Sequence, residues 1–408
     1  MMKFLYLTFL GLLLNVNLFA QDMAAVETTS IIETTPTTEA TPVEEEEEEE
    51  GESGGLTLSG SVDAYFKSNF NGPNSGDFLQ TPNTAFANKS GFGLGMINLV
   101  GTYETGKTGM VADLVFGPRG GDAVFGAQSA TANLVNQLYV YYNVSDKVTL
   151  SFGNFNTFLG YEVISPTANF NYSTSYMFSW GPFSHSGIKA DFALADKLSL
   201  MLGVFNPTDL TDFNLVNTYT LGAQLGYSGD AASVYLNFVY GDQDGTLNVK
   251  ELGEEPIESA GALFQADLTA GFDVSEDFFL GVNATVNSTA TGEIGDAGSI
   301  TDADGDAFGF GGAALYLQYA TSESFSLGVR GEYFTESNGG YGILGAYDMA
   351  GDANVLALTL SANAKVGNLT IIPEIRIDNA SEDGAFFDND LAPSSSLASF
   401  LLATVYSF

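Results

Sequence analysis

The chain has 408 residues, only 15% of them charged, and within that share Asp and Glu outnumber Lys and Arg 50 to 12. A chain this acidic lacks the cations that neutralise nucleic-acid phosphates, which excludes a nucleic-acid partner. It has no cysteine, so disulfides, thiolate metal sites and a thiol-linked lipid anchor are excluded, and its single histidine leaves little acid–base machinery for an enzyme.

In chain order, Met1 to Ala20 read as a secretory signal peptide: Lys3, an apolar run from Phe4 to Leu14, and small Ala20 before Gln21. That run is too short for a bilayer, which takes roughly 20 apolar residues, and no later segment offers a transmembrane helix. Residues 21–55 hold Thr-rich stretches and an unbroken run of glutamates from Glu44 to Glu50. Such a segment cannot bury enough apolar surface to offset its ordering entropy, and it reads as a disordered periplasmic tail. A solvated charge run is the simpler account of the glutamates; docking to a basic partner or gathering divalent cations is the alternative.

From Leu56 to Phe408 one theme repeats: about ten alternating residues, a very short turn, a second such stretch, then a longer polar loop. Short turns fall at Gly106–Gly109, Ser145–Lys147, Ala195–Lys197, Ser228–Asp230, Ser275–Asp277, Ser322–Ser324 and Gly367–Asn368. Longer connections lie near 69–88, 120–130, 156–182, 206–216, 242–258, 288–306, 337–352 and 380–396. Their alternation predicts an all-β fold, a closed antiparallel transmembrane barrel of about sixteen strands with both ends on the short-turn side. Lipid admits no open sheet, because edge N–H and C=O groups would go unpaired in hydrocarbon. A soluble sandwich or propeller would not need the short/long loop asymmetry. Abundant Gly, Tyr and Phe suit a crowded wall with interfacial rings.

Alternation also sorts the faces. Rows such as Phe325, Leu327, Val329, Gly331, Tyr333 and Leu369, Ile371, Pro373, Ile375, Ile377 are predicted to meet lipid, as are Ile188, Ala190, Phe192 and Leu194. The intervening residues are predicted to line a water-filled pore: Lys189, Asp191, Arg330, Glu332, Glu374, Arg376 and Asp378, joined on the same rule by Asp63, Asp113, Gln265, Asp267, Asn283 and Asn363. A basic residue on the lipid face near mid-membrane would cost about 2–4 kcal/mol, which gives the sorting an energetic basis. In the last strand the apolar row Phe400, Leu402, Thr404, Tyr406, Phe408 ends on an aromatic, and Tyr406 with Phe408 are taken as the signal that barrel-assembly machinery reads.

The third long connection does not read as a loop in water. From Asn156 to Phe183 it carries Phe158, Tyr161, Phe170, Tyr172, Tyr176, Phe178 and Trp180 with a single charge, Glu162. Exposed, so many rings would form an apolar patch larger than soluble surfaces tolerate. Lying between the fifth and sixth strands, it is expected to fold inward as a constriction built from Phe158, Tyr161, Glu162, Tyr172, Tyr176 and Trp180, with Glu162 facing Lys189, Arg330 or Arg376 across the opening. Latching onto a neighbouring subunit or folding over the rim is the alternative. The stretch Phe152–Phe155 with Gly160–Ile164, then Tyr172–Tyr176 and Gly181–Gly187, resembles the OmpL-like β-barrel porin family, and the resemblance runs from about Leu56 to Phe408. It implies passive diffusion of small hydrophilic solutes through an outer membrane of a Gram-negative bacterium. The resemblance also implies a homotrimer, the common assembly of porins of this size.

Other chemistry is sparse. Asp302, Asp304 and Asp306 offer alternating hard oxygens, but Ala313 stands where an EF-hand needs its closing glutamate, which leaves at most a loose Ca2+ site. Asp242 with Asp244, and Asp388 with Asp390, repeat the acidic theme and could hold cations that bridge lipopolysaccharide. His185 and Trp180 read as packing residues, and no cofactor motif or catalytic triad is present. Two function classes result: a cation-preferring channel, or a structural or adhesive barrel whose lumen the aromatic loop plugs and whose acidic loops bind divalent ions.

Overall fold

A strand whose side chains alternate must bury one face or give it to lipid, and here the apolar face is the one turned outward. The computed structural model describes residues 54–127, 129, 131–243, 262–290 and 307–408. The leader and the glutamate run lie outside the described residues, as do Asp244, Asp302, Asp304 and Asp306.

Sixteen antiparallel strands close into a barrel. They are β1 (Gly55–Asn69), β2 (Gly91–Thr105), β3 (Thr108–Phe116), β4 (Val135–Ser145), β5 (Val148–Asn156), β6 (Ser184–Ala195), β7 (Leu198–Phe205), β8 (Thr220–Ser228), β9 (Ala232–Gly241), β10 (Leu263–Asp273), β11 (Phe278–Thr289), β12 (Gly309–Ser322), β13 (Phe325–Ser337), β14 (Ala353–Val366), β15 (Leu369–Ala380) and β18 (Ser396–Ser407). A small hairpin, β16 (Phe386–Phe387) with β17 (Pro393–Ser394), stands apart in the last long loop. Closure comes from β1 pairing with β18 over Ser61↔Ser407 to Asn69↔Ser399, so neither end strand leaves an open edge. Phe408 and Gly60 exchange backbone hydrogen bonds at 3.0 Å each.

The seven short turns and eight long connections fall where the sequence pattern puts them. In the turns that join β2 to β3 and β14 to β15, Gly106 and Gly367 take φ of 55° and 60°, a left-handed conformation that glycine adopts without a Cβ penalty. The faces also fall as expected. Leu327, Tyr333, Ile375, Ile377, Leu402, Tyr406 and Phe408 are exposed on the outer wall, whereas Arg330, Glu332, Glu374, Arg376, Leu401 and Val405 are buried within.

Register brings charges from distant strands together. One inward row runs Tyr316, Arg330, Thr359, Arg376, Ser399 from β12 through β18. The row beside it runs Ala314, Glu332, Ala357, Asp378, Leu397, and the row on the other side Gln318, Gly328, Ser361, Glu374, Leu401. Two guanidiniums therefore sit between rows of carboxylates. A one-residue slip would turn all of them to lipid.

Leu358, in the middle of β14, is 48% exposed on the outer wall. Leu358→Arg is expected to lower barrel stability by about 2–4 kcal/mol in urea unfolding from lipid vesicles, since it places a cation near mid-membrane.

Candidate functional site

A segment that leaves a strand and turns into the lumen brings its own N–H and C=O groups out of water, and each needs a partner. Residues 157–183, between β5 and β6, do this. At the start, Phe158 packs on His185 and Phe205, at ring separations of 4.9 and 6.0 Å, and its carbonyl accepts from Gln224 of β8 at 3.3 Å. Gly160 N donates to Asp267 of β10 at 2.9 Å, while Asn237 and Asn283 donate to the same carboxylate at 3.0 and 2.7 Å. Tyr161 stacks on Tyr316 of β12 at 4.0 Å.

Glu162 then meets Arg330 of β13 at 2.5 Å in a pair whose side chains are 3% and 0% exposed. The second oxygen of Glu162 accepts Ser175 N at 2.7 Å, and Arg330 also donates to Ser173 O at 2.6 Å and Thr359 Oγ1 at 3.0 Å. Farther along, Asn363 donates to Phe170 O at 3.2 Å, and Glu374 of β15 accepts Tyr172 N at 3.1 Å. The Tyr172 hydroxyl donates to Asp63 of β1. Burial, with the Asp63 charge beside it, raises the Tyr172 phenol above its ordinary range and keeps it a neutral donor.

A helical turn, Tyr176–Trp180, closes the segment, and its first N–H groups point at Glu332 of β13: Tyr176 N at 2.9 Å and Met177 N at 2.8 Å. Ser175 caps it through Phe178 N at 3.1 Å. Arg376 grips its own strand neighbour Asp378 at 2.9 Å and donates to Thr174 O at 2.7 Å. Arg119, in the helical turn that follows β3, donates to Ile164 O at 3.0 Å and lies 4.2 Å over the Phe86 ring. Arg119, Arg330 and Arg376 are the only arginines in the sequence. All three bind carbonyls of this one loop.

The predicted constriction residues are thus in the lumen, with Glu162, Tyr172 and Tyr176 buried and Phe158, Tyr161 and Trp180 half-buried. The predicted pore lining needs correction. Asp63, Asp113, Gln265, Asp267, Asn283, Arg330, Glu332, Glu374, Arg376 and Asp378 all point inward but are buried, hydrogen-bonded to the loop or to other wall residues, as Asp378 is to Arg376 and Gln265 to Thr285. Asn363 keeps partial exposure while donating to the loop, and Lys189 with Asp191 forms a 3.0 Å pair at 26% and 42% side-chain exposure. Nor does Glu162 face a cation across an opening: of Lys189, Arg330 and Arg376 it contacts Arg330, directly and dry.

The packing of two further predicted loops was not anticipated. Glu336, at the end of β13, is fully buried and accepts Tyr341, Gly342 and Ile343 N–H at 2.8–3.0 Å and the Tyr347 hydroxyl at 2.6 Å, folding residues 338–352 over the mouth. Asn83, in the loop after β1, donates to Ile343 O at 2.9 Å and accepts Trp180 Nε1 at 3.0 Å. In the last loop Asp388 is spent on its own turn, accepting Asp390 N and Ala392 N at 2.9 Å each.

The wall opposite is more open. Along β4–β8 the inward Tyr139, Asn143, Thr149, Lys189, Asp191 and Gln224 all keep partial exposure. The molecule is thus a sixteen-stranded closed barrel with an inward aromatic loop after its fifth strand. The family model of putative beta-barrel porin-2, OmpL-like, matches residues 55–408. The chain belongs to that family. This porin is accordingly an outer-membrane barrel of a bacterium. Its fold is similar to that of OmpT, an outer membrane protein of Vibrio cholerae, in a loop L8 deletion mutant: TM-score 0.53 and 12% identity over 87% of this chain and 99% of that one. The trimer form of in-vitro folded OmpT aligns with TM-score 0.51 and 12% identity over 87% and 99%. Among curated proteins none matches.

Trp180, the only tryptophan, reports on this loop alone. Arg330→Met leaves Glu162 buried without its cation and is expected to weaken loop docking by about 3–5 kcal/mol. Trp180 fluorescence should then change at lower urea than the far-ultraviolet β signal of the barrel, and Glu162→Gln in the same chain should restore part of the loss.

Proposed function

We propose that this porin passes small hydrophilic solutes and ions by passive diffusion along the β4–β8 wall, and that it prefers cations. The observation that carries the proposal is the asymmetry of the lumen: the loop is tethered along the inward face from β10 around to β1, while on β4–β8 Tyr139, Asn143, Thr149, Lys189, Asp191 and Gln224 stay partly accessible beside buried Asn136, Ser151 and Asn154. Selectivity in such a pore follows width and charge. The buried acids contribute little to it, because Glu162 and Asp378 are paired with arginine, and Lys189–Asp191 is close to neutral. The preference is therefore assigned to the mouth, where Asp77, Asp122, Asp348, Asp352 and Asp383 are exposed and outnumber Lys89. Those acids also suit divalent cations that bridge lipopolysaccharide.

Membership of a porin family supports transport and not catalysis as the activity. Both barrel ends lie on the short-turn side, which supports a periplasmic position for the acidic segment before Gly55. A homotrimer is the proposed assembly, in line with the trimer form of OmpT. The second reading, a plugged structural barrel, is favoured by the convergence of three loops through Asn83, Trp180 and Ile343.

Planar-bilayer recording separates the two. The expected result is stepwise conductance, with a reversal potential of cation-selective sign under a KCl gradient that shrinks as ionic strength rises and mouth charges are screened. A silent barrel contradicts the channel, and an anion-selective reversal potential contradicts the charge assignment. Liposome swelling with sugars of graded size then gives the width.

A further inference from the structure

Glycine in the middle of a strand weakens it, and one common reason for its presence is the close approach of another group. Gly222 of β8, Gly281 of β11 and Gly328 of β13 are inward-facing and have ordinary strand backbones, so alanine would suit their conformation. Space is what forbids it. A Cβ on Gly281 would come 2.6–2.7 Å from Tyr161, one on Gly328 would overlap the Phe170 ring, and one on Gly222 would overlap the Phe205 ring of β7 and come 2.8 Å from the Phe158 ring. Tyr161, Phe170 and Phe158 belong to the inward loop. Register completes the middle socket: Gly281 pairs with Tyr316, the residue on which Tyr161 stacks.

We propose that Gly222, Gly281 and Gly328 are positioning residues for the constriction: sockets in the wall whose depth sets how far the loop projects into the lumen. The inference rests on the channel reading above. Polar tethers alone fix the loop's backbone at points such as Gly160 N–Asp267. The sockets determine how closely the ring-bearing stretches lie against β8, β11 and β13. Carbon atoms in contact sit roughly 3.5–4.0 Å apart, so one added methyl displaces a seated ring toward the lumen by about 1 Å.

Single-channel conductance tests this with Gly281→Ala, Tyr161→Ala and the two combined. Gly281→Ala is expected to lose conductance relative to the wild type, and to have no further effect once Tyr161 is trimmed, because contacting residues couple while independent ones add. The same change with or without the Tyr161 ring, or no change at all, overturns the socket. Should Gly281→Ala fail to assemble, Gly328→Ala with Phe170→Ala provides the same cycle and the same outcomes. A wild-type barrel that passes no ions counts against the channel and not the sockets. Chymotrypsin, which cuts at aromatic residues, then gives the readout: the wild-type loop is expected to resist, Gly281→Ala to be cut at Tyr161, and equal resistance overturns the inference.

Discussion

A polypeptide segment inside a closed barrel has left water behind without entering a ladder, and everything about this lumen follows from satisfying its backbone. The solution is charge-sorted. N–H groups of the loop go to carboxylates, Gly160 to Asp267, Tyr172 to Glu374, and Tyr176 and Met177 to Glu332. Three of its carbonyls go to guanidiniums, Ile164 to Arg119, Ser173 to Arg330 and Thr174 to Arg376, and two to side-chain amides, Phe158 to Gln224 and Phe170 to Asn363. Charge-assisted bonds of this kind are about twice as strong as neutral ones, and a donor or acceptor left alone there would cost about 1–3 kcal/mol.

That use of charge bears on transport. A carboxylate bonded to a backbone N–H beneath a loop is shielded from the aqueous path, so counting luminal acids in the sequence overstates the field a permeating ion meets. Among the described residues, acids that meet water include Asp77, Asp122, Asp348, Asp352 and Asp383 in the long connections. The barrel interior is thus divided into one wall covered by the inward loop and one whose inward side chains are in part exposed. Most of the polar tethers and rings lie on the first, with Phe158 and its carbonyl resting on β6, β7 and Gln224 of β8.

Strand number, turn positions and the sorting of faces could be read from the chain because a strand's side-chain period is two and lipid penalises an error in it. The inward fold of the third loop was readable as the favoured of two outcomes, since Tyr172, Tyr176 and Phe178 required burial either in the lumen or against a neighbouring subunit or the rim. Which cation Glu162 meets was not, because the choice among Lys189, Arg330 and Arg376 depends on how strands far apart in sequence close around the axis. Burial of the charged rows was missed for the same reason: alternation separates inside from outside but cannot distinguish water from a packed loop. One available signal went unused. Arginine is so rare in this chain that Arg119, in a connection and not on a strand, could have been grouped with Arg330 and Arg376.

Hydrogen exchange on the assembled porin in lipid tests the carboxylate-tethered loop most directly. The amides of Gly160, Tyr172, Ser175, Tyr176 and Met177 are expected to be protected to the degree of the β10, β13 and β15 ladders, which bear Asp267, Glu332, Glu374 and the Arg330 that holds Glu162. Exchange of those amides at the rate of an open aqueous loop, with the strand ladders still protected, would contradict it.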